Sequence, residues 1–197
     1  MALALIEQGQ VVLGVLGCPN LPRCHGEPGV LLVAERGRGT WMSPLWDETC
    51  QGRALHVSAV DAPAEARFCE SVESGHSNQD HAARIAERLG ITAEPLRMDS
   101  QCKYAAVARA EAQIYLRLPT RQDYRENIWD HAAGLIVVEE AGGKVTDVRG
   151  RPLDFTRGRR LEDNAGIVAT NGKFHDAVIE AVNHVLGDGE NRNPRPE

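Results

Sequence analysis

The sequence predicts an α/β fold: an opening stretch of antiparallel strands, then a layer in which strands and helices alternate, with helices on both faces of a sheet. Two observations carry this. In the first sixty residues the apolar runs are short and separated by glycine-containing turns, as in hairpins. After Ala62-Pro63, runs with period-two spacing alternate with segments whose apolar residues recur every three or four positions.

Taken in order, residues 3–7 and 11–17 are apolar runs joined by Gln8-Gly9-Gln10, where glycine admits positive φ. Residues 30–34 and 40–42, joined by Glu35-Arg36-Gly37-Arg38-Gly39, predict a second hairpin. Between them, residues 18–29 hold three prolines and two glycines and read as a surface loop. A few strands without a covering layer are marginal in water, so residues 1–63 are expected to be the strands of an incomplete first domain.

Residues 66–72 predict a strand that ends in the turn Glu73-Ser74-Gly75-His76. Ser77-Asn78-Gln79-Asp80 has the form of a capping box. The helix behind it places Ala82, Ile85, Ala86 and Leu89 on one face before Gly90 stops it. Residues 96–98 form a short strand, and Asp99-Ser100 cap a helix that reaches about residue 110. Ile114, Leu116 and Leu118 then alternate with Tyr115 and Arg117 in a strand with two different faces. A third helix starts near Asp130 and ends at Gly142-Gly143, and residues 144–147 and 165–169 are further strands. The last helix carries Phe174, Ala177, Val178, Ala181 and Val185 at helical spacing. Residues 64–186 are thus expected to be the α/β domain, and the polar, proline-containing residues 187–197 a disordered tail. In such sheets ligands lie beyond the carboxyl ends of the strands, where this order places His76, Ser100 and the segment after Arg117.

Composition narrows the function. The 197 residues are 42% hydrophobic and 25% charged, which suits a packed core rather than global disorder. A net charge of −6 argues against gripping a nucleic-acid polymer, while a small phosphorylated ligand needs only a few local cations. No apolar run approaches the length of a membrane helix, and no basic region precedes the opening apolar stretch, so neither a membrane span nor a signal peptide is expected. Five cysteines without a Cys-x-x-Cys pair suit a reducing cytoplasm, and the spacing of Cys18, Cys24 and His25 matches no standard zinc site.

Three segments carry chemistry. In Ile128-Trp129-Asp130-His131-Ala132-Ala133-Gly134, continuing to Glu140-Ala141-Gly142-Gly143, a carboxylate at a helix start would be held by free backbone N–H groups. Spacing alone leaves Asp130 either a helix cap or the kind of oxygen that Mg²⁺ takes. In Met98-Asp99-Ser100-Gln101-Cys102-Lys103-Tyr104 and Ile114-Tyr115-Leu116-Arg117-Leu118-Pro119, Ser100 offers a hydroxyl and helix-start amides to an anion. Lys103 adds a point charge and Arg117 a planar fork for phosphate oxygens, although either cation alone could be a solvated surface charge. In Glu70-Ser71-Val72-Glu73-Ser74-Gly75-His76-Ser77, Gly75 permits close backbone approach and His76 could donate to a phosphate or lie beside a base.

These segments resemble the inositol monophosphatase superfamily. The Asp130 segment looks like its second signature, and the other two look like the 3′(2′),5′-bisphosphate nucleotidase branch. Val15-Leu16-Gly17-Cys18-Pro19 and Pro152-Leu153-Asp154-Phe155 are similar as well, so the likeness runs from Ala2 to about Val185. The resemblance implies the carboxy-terminal α/β layer of that sugar-phosphatase fold, preceded by hairpins left from a truncated first domain. It implies a Mg-dependent phosphomonoester hydrolase of the cytoplasm that converts adenosine 3′,5′-bisphosphate to AMP and phosphate. Asp130 then matches a metal ligand, and His76, Ser100, Lys103 and Arg117 match nucleotide and phosphate contacts. The family's first signature, Asp-Pro-Ile/Leu-Asp-Gly-Thr, does not occur in the sequence. That signature carries the other metal ligands and the groups around the nucleophilic water, so no catalytic residue is assigned. The chain is expected to be a carboxy-terminal half, inactive or weak without the missing amino-terminal half. Two alternatives stay open: an inositol or sugar phosphatase on the same fold, and a non-catalytic nucleotide-binding fragment that needs a partner chain.

Overall fold

The computed structural model describes residues 1–23, 28–47, 49, 51–72, 79–119, 121 and 123–191. Five strands open the chain: β1 (Ala2–Glu7), β2 (Gln10–Cys18), β3 (Val30–Glu35), β4 (Gly39–Pro44) and β5 (Arg53–Leu55). They pair antiparallel in chain order. Both expected hairpins are present; β5 is too short to show a period in the sequence.

The covering layer these strands need is a helix, α3 (Ala132–Glu140). Pairing register brings Ala4, Gly14, Ala34 and Thr40 into one row of small residues on the inner face. The helix lies on that row. A methyl group on Gly14 would collide with the Ile136 side chain and the Ala133 carbonyl, while the Thr40 hydroxyl donates to the Val137 carbonyl at 2.8 Å. At the far end, Arg36 pairs with Glu139 at 2.8 Å, and Glu140 accepts from the amides of Gly37 and Gly39, both at 3.0 Å.

The second sheet contains β6 (Phe68–Glu70), β7 (Leu96–Arg97), β8 (Ile114–Arg117), β9 (Lys144–Thr146) and β10 (Ile167–Thr170), in the spatial order β7-β6-β8-β10-β9. As predicted, it is covered on both faces. Ile114, Leu116 and Val168 pack with α1 (Gln79–Leu89) and α4 (His175–Asn191). Tyr115, Ile167 and Ala169 pack with α2 (Cys102–Ala108) and α3. The layers are therefore sheet, helix pair, sheet, helix pair, and the core around α2 and α3 joins the opening strands to the second sheet.

Five details go beyond or depart from the sequence reading. The second sheet is mixed: β6 is parallel to β7 and β8, whereas β10 is antiparallel to β8 and β9. No helix separates β9 from β10, and a link without a crossover helix returns the chain antiparallel. The helix α2 ends at Ala108, and α3 is preceded by a separate 3₁₀ turn, Ile128–Asp130. The helix α4 continues through Gly187 to Asn191, so residues 187–191 are helical rather than a disordered tail. Its buried stripe uses Val182 while Ala177 is exposed, because apolar spacing locates a buried face but not a helix end in solvent. The expected end of α1 is present: Gly90 has φ +73° and Ile91 donates to Ala86 at 2.9 Å. Among the described residues, no helix is long and apolar enough to cross a membrane.

Candidate active site

The carboxyl ends of the three parallel strands lie together, and there a cleft of roughly 370 Å³ opens between the second sheet, α2 and the β1–β2 hairpin. Ser71 reaches it after β6, Asp99 and Ser100 after β7, and Arg117 from the end of β8. Lys103 enters from α2 and Asp130 from the 3₁₀ turn before α3. Ser100, Lys103, Arg117 and Asp130 thus line one cleft, at the strand ends where the chain order places Ser100 and the segment after Arg117. His76 and its turn fall outside the described residues.

Neither cation is a solvated surface charge. Lys103 is 4% exposed. Its ammonium donates to Ser71 Oγ at 3.1 Å and to the Met98 carbonyl at 3.5 Å, and lies 5.4 Å from the centre of the Tyr115 ring. Burial lowers its pKa, so a ligand anion would gain from restoring full charge there. Arg117 donates from Nε to Glu126 Oε1 at 3.0 Å. Burial opposes the guanidinium charge, and the Glu126 carboxylate more than offsets it.

Glu126 is buried and central to this arrangement. Burial pushes its pKa up, but hydrogen bonds from His131 and the nearby charge of Arg117 bring it below the usual carboxylate range. His131 Nε2 lies 3.1 Å from Glu126 Oε2, and its Nδ1 lies 2.7 Å from the Tyr104 hydroxyl. With Glu126 ionised, the network is satisfied by a proton on Nε2 and a Tyr104 hydroxyl that donates to Nδ1. Tyr104 keeps that proton, because complete burial raises its pKa. A four-residue chain, Tyr104–His131–Glu126–Arg117, therefore fixes the arginine at the cleft.

Two expectations about local chemistry are corrected. Ser100 has φ +63°, a left-handed conformation costing roughly 1–2 kcal/mol for a residue with a side chain. Its hydroxyl accepts from the Cys102 amide at 3.3 Å, its carbonyl from Lys103 at 3.4 Å, and the Gln101 carbonyl from Tyr104 at 3.0 Å. The helix-start amides that seemed free for an anion are engaged, which leaves the hydroxyl and the two cations.

Asp130, for its part, does not cap α3. The cap position is His131, without a side-chain bond. Gln101 reaches across instead, accepting from the Gly134 amide at 2.9 Å and donating to the Trp129 carbonyl at 2.8 Å. Asp130 is exposed at the cleft and accepts from Asn127 Nδ2 at 3.3 Å. With the cap role filled by another residue, its carboxylate is available to a ligand. Among the described residues, no three of His, Cys, Asp and Glu gather into a metal cluster. The sequence reading missed Gln101, Tyr104, Glu126 and His131; Gln101 and Tyr104 reach residues about thirty positions away, and Glu126 bonds His131 and Arg117 through a segment with no period and no motif.

Fold and site define a layered α/β protein whose cleft, at the ends of parallel strands, pairs fixed cations with open carboxylates. The chain belongs to the inositol monophosphatase family, whose sequence pattern matches residues 1–186. It is 45% identical over 186 residues to a 3′(2′),5′-bisphosphate nucleotidase of Schizosaccharomyces pombe, covering 92% of this chain and 53% of the relative. To one of Oryza sativa it is 46% identical over 196 residues, covering 94% and 54%. Thermotoga maritima IMPase matches with a TM-score of 0.68 and 27% identity, over 95% of this chain and 61% of that one. The inositol monophosphatase from Anabaena shares the fold, with a TM-score of 0.64 and 23% identity over 93% and 63%. The chain spans about half the length of the curated relatives it matches.

Proposed function

We propose that this chain provides the phosphate-holding wall of a magnesium-dependent 3′(2′),5′-bisphosphate nucleotidase, with adenosine 3′,5′-bisphosphate as substrate and AMP and phosphate as products. The observation that carries the reading is the meeting of Ser100, Lys103, Arg117 and Asp130 on one cleft, in a chain whose relatives bear that name. Lys103 offers a point charge held by Ser71, and Arg117 a guanidinium fixed by Glu126. Ser100 adds a hydroxyl, and His76, outside the described residues, is assigned to the nucleotide from its motif.

The charges lining the cleft favour phosphate together with a cation. Lys103 and Arg117 share the cleft lining with Asp99 and Asp130. A bare phosphate would be repelled by the two carboxylates; one that carries a divalent cation would not. Enzymes of this family are metal-dependent, and Asp130 fits as one hard oxygen donor for Mg²⁺. When bound, the metal supplies activation of water and neutralises charge on the ester oxygen.

Calorimetric titration of the chain with adenosine 3′,5′-bisphosphate in Mg²⁺ tests the reading. Arg117→Ala should weaken binding by about 1.5–3 kcal/mol, the range for a charge-assisted hydrogen bond. Unchanged affinity would remove Arg117 from the site. Tighter binding of inositol 1-phosphate than of the nucleotide would select the inositol phosphatase reading instead.

A further inference from the structure

The cleft holds a pair of thiols that the phosphatase reading does not use. Cys18 closes β2 and Cys102 opens α2, and both line the cleft, one from each wall. Cys102 packs against the cluster that contains Cys18, and the two thiols lie close enough that each shifts the other's titration. Their exposures differ: Cys18 is 3% exposed, while Cys102 is half-buried and opens toward the cleft. We propose that Cys18 and Cys102 form a thiol–disulfide site that reacts with low-molecular-weight disulfides and closes into a reversible cross-link between the two walls of the cleft.

The order of events follows from the geometry. The Cys102 thiolate attacks one sulfur of RS–SR, making a mixed disulfide and expelling RS⁻, which takes up a proton. Cys18 then attacks Cys102 Sγ, forming the Cys18–Cys102 bond and expelling the second RS⁻, which takes the Cys18 proton. Two protein thiols are oxidised and one disulfide is reduced to two RSH, so atoms and electrons balance. The Cys18 thiol, with Ser100 and the Lys103 charge behind it, lowers the Cys102 pKa against the opposing effect of burial, which favours the thiolate that attacks. The neighbouring Cys102 side chain, and burial after it, raise Cys18, which suits a group that stays protonated until Cys102 has been capped. Cys69 is an internal control: it is fully buried, and burial pushes it up to about 12. A cross-link between β2 and α2 would fix the separation of the two walls that any ligand must enter, whatever that ligand is.

The inference is independent of the phosphatase reading, and its test needs no activity. The folded chain is incubated with oxidised glutathione, quenched with acid, digested without reductant and mapped by mass spectrometry. The expected result is a Cys18–Cys102 peptide cross-link that dithiothreitol reverses, with Cys69 remaining a free thiol. Cys18→Ser should stop at a stable glutathione adduct on Cys102, and Cys102→Ser should leave Cys18 unmodified. The proposal is overturned if Cys102 stays reduced in the folded wild-type chain. A glutathione adduct on Cys102 that persists beside a reduced Cys18 would overturn it equally. Because the wild-type chain gives the primary result, loss of folding in a variant does not blunt the test.

Discussion

Thr146 Oγ1 donates to the Asp147 carbonyl at 2.9 Å, so toward His175 Nε2, also 2.9 Å away, it can only accept. Thr170 Oγ1 accepts from the Gly172 amide at 3.0 Å and is therefore free to donate to His175 Nδ1 at 2.9 Å. Thr146 thus specifies a ring protonated on Nε2, and a neutral ring lets Thr170 donate to Nδ1; a second proton would force the Thr170 hydroxyl to turn from donor to acceptor. Burial, followed by the Lys144 charge, lowers the His175 pKa from its ordinary 6.5 to about 4. Between those values the unfolded chain binds more protons here than the folded one. The stabilisation is therefore complete above about pH 6.5 and is lost as pH falls toward 4, by at most about 3 kcal/mol. Urea titrations at pH 7 and pH 4.5 should show His175→Gln less stable than wild type at pH 7 but with a smaller loss on acidification. An equal loss in both would assign the acid sensitivity to carboxylates. Glu126 gives a second prediction at this scale. Glu126→Gln keeps the shape but removes the charge that holds Arg117, so stability should fall by about 1–3 kcal/mol and nucleotide affinity should fall with it. In a cycle with Arg117→Ala the two affinity losses should not add, since both act through one guanidinium; additive losses would separate Glu126 from the site. Glu126 was invisible in the sequence because it lies between Pro119 and Ile128, in a segment with no period and no motif, and gains its role only from the turn of chain that brings it beneath Arg117.

Elements that carry their own boundary signals were the legible ones. The helix α1 has an apolar stripe ending in Ile85 and Leu89 and a glycine stop at Gly90, so its end is legible to the residue, while the capping box at Ser77-Asn78 lies outside the described residues. The helix α3 is buried at every position from Ala132 to Val138, so it offers no stripe. Its start is bonded by Gln101, the residue just before α2, which is why Asp130 could be mistaken for its cap. Close packing of α3 against α2 depends on Gly134, where a methyl group would run into the Tyr104 ring. That ring is fully buried, 5.0 Å from Tyr115 in an edge-on arrangement, so it has little room to give. Gly134→Ala gains up to about 1 kcal/mol of helix propensity and loses about 1–3 kcal/mol to overpacking. The loss should win, and the urea midpoint should drop. A stabilised Gly134→Ala would show that the ring moves freely, and that the Tyr104–His131 contact tolerates displacement.

At the scale of the whole molecule, the site was legible because three strands run parallel, and parallel strands gather their carboxyl ends on one side. The antiparallel pairing of β10 with β8 and β9 was not legible, since period and propensity say which residues form strands but not which way a strand runs. The opening sheet shows the same limit on its faces. Leu3, Leu5, Ala4 and Ile6 are all apolar, so alternation could not tell the inner face from the outer one. Register settles it. Leu3 pairs with Val15, Val15 with Val33 and Val33 with Trp41, which makes one apolar row across four strands on the face opposite α3. Leu3 is 60% exposed and Trp41 50% exposed, so the ends of the row are open to water. A contiguous apolar row of this kind binds hydrophobic dyes, whereas apolar side chains scattered singly do not. The folded chain should therefore enhance the fluorescence of 1-anilinonaphthalene-8-sulfonate at neutral pH. The double variant Leu3→Thr/Trp41→Thr should lose most of that signal. Threonine keeps the strand propensity, and solvent-facing changes usually move stability by no more than about 0.5 kcal/mol each, so the urea midpoint should hold nearly steady. If the dye signal survives both substitutions and is displaced by adenosine 3′,5′-bisphosphate, the dye sits in the cleft and the outer row is not a binding surface.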